Sequence, residues 1–223
     1  MTTVCRRLLS DRVGVYVHGS AALGGITATS DLDMLVIADC EGLRGDLAAA
    51  LSAIDVPRSV ELSVVTAGAA RHPRHPWPFV LHVNTGTHTV ATGTEGGGDP
   101  DLIAHYAVTR AAGVPIFGPR PERVIGEVDA RQLLRYFRGE LRWGLDHGDG
   151  RYVVLNACRA SVYHRTGRLV SKLDGATWWT ETYGDNPVVT KARAAQAAGR
   201  DLGPAKADAR RFVIDRIDEL PED

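Results

Sequence analysis

A chain of 223 residues can form one large domain or two small ones with a real core. Its 44% hydrophobic and 24% charged residues are ordinary for a globular protein, and no apolar run reaches the ~18 residues of a membrane span. A net charge of -1 provides no electrostatic grip on a nucleic-acid backbone, which argues against a template-copying activity. Three cysteines (Cys5, Cys40 and Cys158) lack metal-ligand spacing and suit a reducing compartment, each reading as a small buried or half-buried hydrophobe. The N-terminus shows no apolar core with a cleavage site, so a soluble, cytoplasmic protein is expected.

In chain order, Val13–His18 is a β-branched and aromatic run that predicts a strand, and Gly19-Ser20 marks its turn into a helix. Glycine lets backbone approach a phosphate, and amides at a helix start favour negative charge. After nine further residues comes Ser30-Asp31-Leu32-Asp33, heading a second strand over Leu32–Ala38. Asp31 and Asp33 are two apart, so in extended chain they share a face. Two such carboxylates repel by roughly 4 kcal/mol at about 4 Å and an effective dielectric near 20. A hard divalent cation removes that repulsion, and Mg²⁺ is usually held by one or two carboxylates plus substrate phosphates. The pair of motifs therefore points to metal-assisted nucleotidyl transfer.

Gly42–Ile54 carries apolar residues at helical spacing, while Val60–Val65 and Phe79–Val83 read as strands. Gly93 to Asp99 is a glycine-rich loop, Asp99-Pro100-Asp101 opens a helix to about Ala112, and Gly113 to Pro119 punctuates its end. Beyond that, helices are expected near Asp129–Leu145, Tyr152–Arg165, Leu173–Tyr183, Pro187–Ala198 and Pro204–Leu220, with Gly167 closing the second. The fold class is thus an α/β domain with a mixed sheet and flanking helices, residues 1–119, followed by an all-α bundle, residues 120–223. In Val60–Val65 the period of two sets Glu61 and Ser63 on one face, and that face is either solvent or a cleft.

The string from Gly19 to Val36 resembles the nucleotidyltransferase superfamily of DNA polymerase beta. Within it, the string is similar to the aminoglycoside 3''-adenylyltransferases that modify streptomycin and spectinomycin. Gly148 to Arg159, Val170-Ser171-Lys172, Asp99 to Leu102 and Gly113 to Pro119 also resemble family sequence. The resemblance implies AMP transfer from Mg-ATP to an antibiotic hydroxyl, with pyrophosphate leaving. It implies Asp31 and Asp33 as metal ligands and Gly19, Ser20 and Ser30 along the triphosphate. Arg159 and Lys172 would meet the ATP phosphates, and Glu61 would be the general base. Asp149 and Tyr152 would face the cationic acceptor. Read without the family, Arg159 and Lys172 are ordinary exposed cations, and Asp149 is an N-cap.

Two departures concern the family's aromatics. No tryptophan occurs in Leu81–Gly86, where Gly86 is the nearest match, and Asp215 stands where a tyrosine is usual. The expected partner is a small aminoglycoside-like acceptor, with no nucleic acid or membrane, and the chain is expected to act as a monomer. Two alternatives are another small-molecule or protein hydroxyl as acceptor, and a regulatory, antitoxin-like nucleotidyltransferase module. His72, His75 and His82 are not read as a zinc site, because Pro73 and Pro76 break any helix that could align them. His18 is read as a packing or backbone-bonding residue, and Trp143, Trp178 and Trp179 as core.

Overall fold

The structure, a computed structural model, describes residues 14–38, 49, 58–93 and 97–222. The chain divides into two compact units, Met1–Ala22 with Ser30–Val128, and Leu23–Thr29 with Asp129–Asp223. Residues 120–128, expected with the bundle, thus group with the first unit, and the spacer inside the Gly-Ser/Asp-x-Asp motif groups with the second. Among the described residues no helix is long and apolar enough to cross a membrane.

The first unit is built on a six-stranded sheet. Its strands are β1 (Gly14–Val17), β2 (Leu32–Ile37), β3 (Val60–Val65), β4 (Leu81–Asn84), β5 (Thr89–Thr92) and β6 (Val114–Phe117), in the order β5-β4-β3-β2-β1-β6. Only β2 and β3 run parallel; the other neighbours are antiparallel. Val15, Met34, Val36, Leu62, Val64, Leu81 and Val83 form the core of this sheet. Central β3 is covered on both faces beyond Glu61, which is why its sequence is almost continuously apolar.

Short helices α1 (Gly19–Ala22) and α2 (Ala67–Arg71) and the longer α3 (Leu102–Ala112) complete the unit with a 3₁₀ turn at Pro121–Arg123. Strands β5 and β6 are additions to the sequence reading. Pro115 sits in β6 because that strand is a sheet edge, where a missing N–H costs no ladder bond. Every residue of β5 is exposed, so no apolar alternation announced it. Apart from Ala49, the helix expected over Gly42–Ile54 lies outside the described residues, as do Cys5 and Cys40.

The second unit contains α4 (Ala130–His147), α5 (Gly150–Thr166), α6 (Lys172–Tyr183), α7 (Pro187–Ala197) and α8 (Ala207–Glu219). Asp129, Asp149, Ser171 and Asn186 each cap a helix by accepting a backbone amide with the side chain. Gly167 ends α5 in the left-handed conformation, φ 70°, that favours glycine. Helix α5 is central, burying Val153, Val154, Leu155, Ala157, Cys158 and Ala160, and burial pushes the Cys158 thiol up to about 12. The last helix begins at Ala207 rather than Pro204, because Pro204 is engaged in an isolated bridge with Asp149. Arg138 is buried, with Nη1 donating to Leu220 O at 2.7 Å and Nη2 to Glu222.

The expectation for the tryptophans needs correcting at one position. Trp179 is 6% exposed and packs edge-on against Phe212, with the Arg216 guanidinium 4.8 Å from its ring. Trp143 is 52% exposed and instead stacks on His147, one helical turn away. The α4 period places it on the solvent face, which residue type alone does not reveal. Trp179→Ala should therefore cost about 3–5 kcal/mol, whereas Trp143→Ala should stay within about 0.5 kcal/mol. Urea titrations of both variants check this ordering, and equal losses would contradict it.

Candidate active site

Asp33 is the centre of the site because three constraints meet on it. Strand β2 pairs in parallel register with β3 so that Asp33 lies opposite Glu61. Parallel pairing keeps equivalent positions at one level, and these two residues therefore present neighbouring carboxylates. Behind Asp33, the His18 amide donates to its backbone oxygen at 2.9 Å, and the Ser20 amide donates to its carboxylate. Gly19 stands between them at φ 59°, and a Cβ there would lie 1.7 Å from Asp33 Oδ2. Glycine is thus required at position 19 by this carboxylate, quite apart from any phosphate.

Burial raises the Asp33 pKa above its ordinary value, and the negative charges of Glu61 and Asp31 add to the shift. His105 and the Ser20 amide oppose it. Asp31 is exposed and accepts from Ser59 Oγ, while Ser30 O accepts from Arg58 Nη1. Asp31, Asp33 and Glu61 are thus brought together as an electrostatic cluster, though among the described residues no group of three acids or histidines closes round a single point. Hard oxygen donors under mutual repulsion fit Mg²⁺, which takes its remaining ligands from water and phosphates.

Two neighbours of these acids, His105 and His82, were not anticipated from sequence as participants. His18 is buried, as expected of a packing residue, and burial holds its pKa well below the usual imidazole value, with His105 adding to the shift. The two rings lie 4.8 Å apart. His82 Nε2 is 3.9 Å from Glu61 Oε1, and its Nδ1 is 3.0 Å from Ser63 Oγ. Glu61 faces neither open solvent nor full burial, with 30% of its side chain exposed. The one signal for His82 was its place between Leu81 and Val83, which alternation puts on the opposite face of the strand.

The other candidate residues lie within the helical unit. Arg159 is fixed by Val170 O at 3.0 Å and Asn156 Oδ1 at 3.3 Å. Lys172 Nζ is 4.6 Å from the centre of the Tyr152 ring, and Tyr152 OH donates to Glu140 Oε2 at 2.7 Å. Ser171, the cap just before Lys172, lies so close to Gly25 that a Cβ at that glycine would meet it at 2.4 Å. Asp149 Oδ1 accepts from the Arg151 amide at 2.8 Å and Oδ2 from the Leu202 amide at 2.7 Å. Its structural use as a cap is therefore present, together with a tie to the loop before α8.

Two stability experiments follow from this geometry. A carboxyl whose pKa is raised by folding contributes stability below its ordinary range and loses it as pH rises through the folded value. Ionised Asp33 therefore opposes folding at neutral pH, and Asp33→Asn should raise the Tm in metal-free buffer. The gain should fade as pH falls toward the ordinary carboxyl pKa of 3.8. Melts across about pH 4 to 8 check this, and a variant less stable than the parent at neutral pH would contradict it. Asp149→Ala should lower stability by about 1–2 kcal/mol through the lost cap, as read in a urea titration.

Comparison with known proteins finds matches to both parts of the chain. The nucleotidyltransferase domain family matches residues 2–75, and the C-terminal domain family of aminoglycoside adenylyltransferases matches residues 123–214. Spectinomycin 9-adenylyltransferases of Staphylococcus aureus strains Mu50 and N315 are 29% identical over 189 residues, 76% of this chain and 71% of theirs. The crystal structure of spectinomycin adenyltransferase AAD(9) from Enterococcus faecialis, with ATP and spectinomycin, matches with a TM-score of 0.72. That match covers 98% of this chain and 96% of the other at 15% identity, a likeness of fold. With one family matched on the N-terminal part and the other on the C-terminal part, these likenesses together support an aminoglycoside adenylyltransferase-like nucleotidyltransferase.

Proposed function

We propose that this enzyme transfers AMP from ATP to a hydroxyl of an aminoglycoside or aminocyclitol antibiotic, spectinomycin foremost, and so confers resistance in the cytoplasm. The observation that carries the reading is the Asp33–Glu61 pair on parallel strands, with Gly19 folded against Asp33. The relatives of known activity add the acceptor class, since they are spectinomycin adenylyltransferases. Streptomycin is the second acceptor to test.

In this reading Glu61 takes the proton from the acceptor hydroxyl. The freed oxygen forms its bond to the α-phosphorus as the bond to the β-phosphate breaks, and pyrophosphate leaves. A half-exposed carboxylate can meet the hydroxyl and still hand its proton to solvent afterwards. Asp31 and Asp33 are the residues that would hold Mg²⁺, which when bound supplies neutralisation of charge on the transferring phosphate. Gly19, Ser20 and Ser30 are assigned to the triphosphate, and Arg159 and Lys172 to its charge. Tyr152 and Asp149 are assigned to the acceptor, Asp149 with the amide bonds it already makes. All these residues lie in one polypeptide, and a monomer satisfies the scheme.

Pyrophosphate release is the direct test, measured with ATP, Mg²⁺ and spectinomycin, streptomycin or no acceptor. Release that depends on spectinomycin supports the proposal, and release indifferent to every aminocyclitol would point to another acceptor. Glu61→Gln keeps size and hydrogen bonding but cannot take the proton, so kcat should fall about 10²–10⁴-fold. Calorimetry should still show ATP and spectinomycin binding within a few-fold of the parent. A variant that turns over normally would remove Glu61 from the mechanism, and one that binds neither ligand would move it into the nucleotide or metal site.

A further inference from the structure

Strand β4 lies antiparallel to β3, in a register that sets His82 directly opposite Ser63. Ser63 is 1% exposed, and its hydroxyl is 3.0 Å from His82 Nδ1. Glu61 is two residues from Ser63 along the same face, diagonal to His82, where long side chains on paired strands still meet. The other ring nitrogen, Nε2, is 3.9 Å from Glu61 Oε1, and the two side chains are 21% and 30% exposed. Serine, imidazole and carboxylate thus form a line across two strands, ending on the residue assigned as base.

The chemistry of the three groups sets the direction of that line. A carboxylate accepts hydrogen bonds and donates none, so the ring nitrogen facing Glu61 is the one that carries hydrogen. Nδ1 is then the acceptor, and Ser63 Oγ–H donates to it. We propose that His82, oriented by Ser63, is a positioning residue for Glu61: it presents Nε2–H to one carboxylate oxygen and leaves the other to receive the acceptor's proton. The proposal rests on the reading of Glu61 as general base.

At 3.9 Å the contact is longer than a hydrogen bond, and such contacts tighten when substrates load. The held oxygen cannot rotate toward Asp33, its register partner and electrostatic neighbour. During transfer the hydroxyl proton passes to the free Glu61 oxygen, while the Nε2 proton stays where it is. His82 therefore acts through the orientation of Glu61 and touches no reacting atom.

The experiment compares His82→Ala, His82→Gln and Ser63→Ala with Glu61→Gln, in pyrophosphate release with saturating ATP, Mg²⁺ and spectinomycin. A misplaced base costs up to ~10²-fold, so His82→Ala should lower kcat about 10- to 100-fold with both KM values nearly unchanged. Glutamine places an N–H at similar reach and should restore most of the rate. Ser63→Ala, which frees the ring but keeps Nε2–H, should fall between, and these two variants carry the test should His82→Ala fail to fold. In the Glu61→Gln background, His82→Ala should cost nothing further, because its route of action is already gone.

A parent-like kcat in His82→Ala would overturn the proposal. So would a loss that appears in KM, or one repeated in full in the Glu61→Gln background. If Glu61→Gln itself retains the parent rate, the base reading falls. If Glu61→Gln is impaired while the His82 variants are not, only the positioning role falls.

Discussion

The structure depends on one unfavourable arrangement, a carboxylate at Asp33 tucked against a glycine turn beside a second carboxylate. The Ser20 amide bonds to it, and a hydrogen bond to a charged group contributes about 1.5–3 kcal/mol. Burial and the neighbouring acids nevertheless win, since the Asp33 pKa is raised. An arrangement of that kind persists only where surrounding structure over-determines it. Here the surroundings are the β1–β2 ladder, the parallel β2–β3 pairing and a residue without a Cβ at position 19. An antiparallel β2–β3 pair would set Asp33 opposite the far end of β3, and Glu61 would lie several residues away.

The helical unit obeys a different economy of constraints. Its helices begin on capping side chains, and the same polar residues then do positional work. Ser171 caps α6, hydrogen-bonds Asp174 and rests on Gly25, which fixes the start of the helix at Lys172. Asp149 caps α5 and holds the Leu202 amide, so the loop before α8 is anchored where α5 begins. Tyr152 links Glu140 on α4 to Lys172 on α6 through a hydrogen bond and a ring contact. A carboxylate, a phenol and an ammonium are thereby gathered from three helices.

What the sequence made legible followed from local rules. Helix starts at Asp129, Asp149, Ser171 and Asn186 and the stop at Gly167 obey capping chemistry, and they fell within a few residues of the expected bounds. The Gly19 turn and the two-residue spacing of Asp31 and Asp33 were equally local. What escaped was set by pairing across the chain. Nothing near Ser63 reveals that His82 lies opposite it, because the register comes from β4 folding back nineteen residues later. The face shared by Glu61 and Ser63 was ambiguous for the same reason, since its cover comes from elsewhere. Edge strands β5 and β6 bury too little to leave an apolar rhythm. Trp143 misled because residue type was weighed above its place on the helix.

The glycine at position 86 connects the sheet's edge to Asp31. Ser59 O accepts the Leu32 amide at 2.8 Å, and its hydroxyl bonds Asp31, so Ser59 holds both the first acid and the residue after it. The β4–β5 turn braces Ser59 from outside. Thr85 bonds Val60 through both its amide and its hydroxyl, and Asn84 Oδ1 accepts the amides of Gly86 and Thr87. A Cβ at Gly86 would already lie 3.0 Å from Ser59 Cβ. A tryptophan there would have to displace Ser59 and, with it, Asp31. The absence of an aromatic at position 86 thus goes with how closely this turn packs on Ser59.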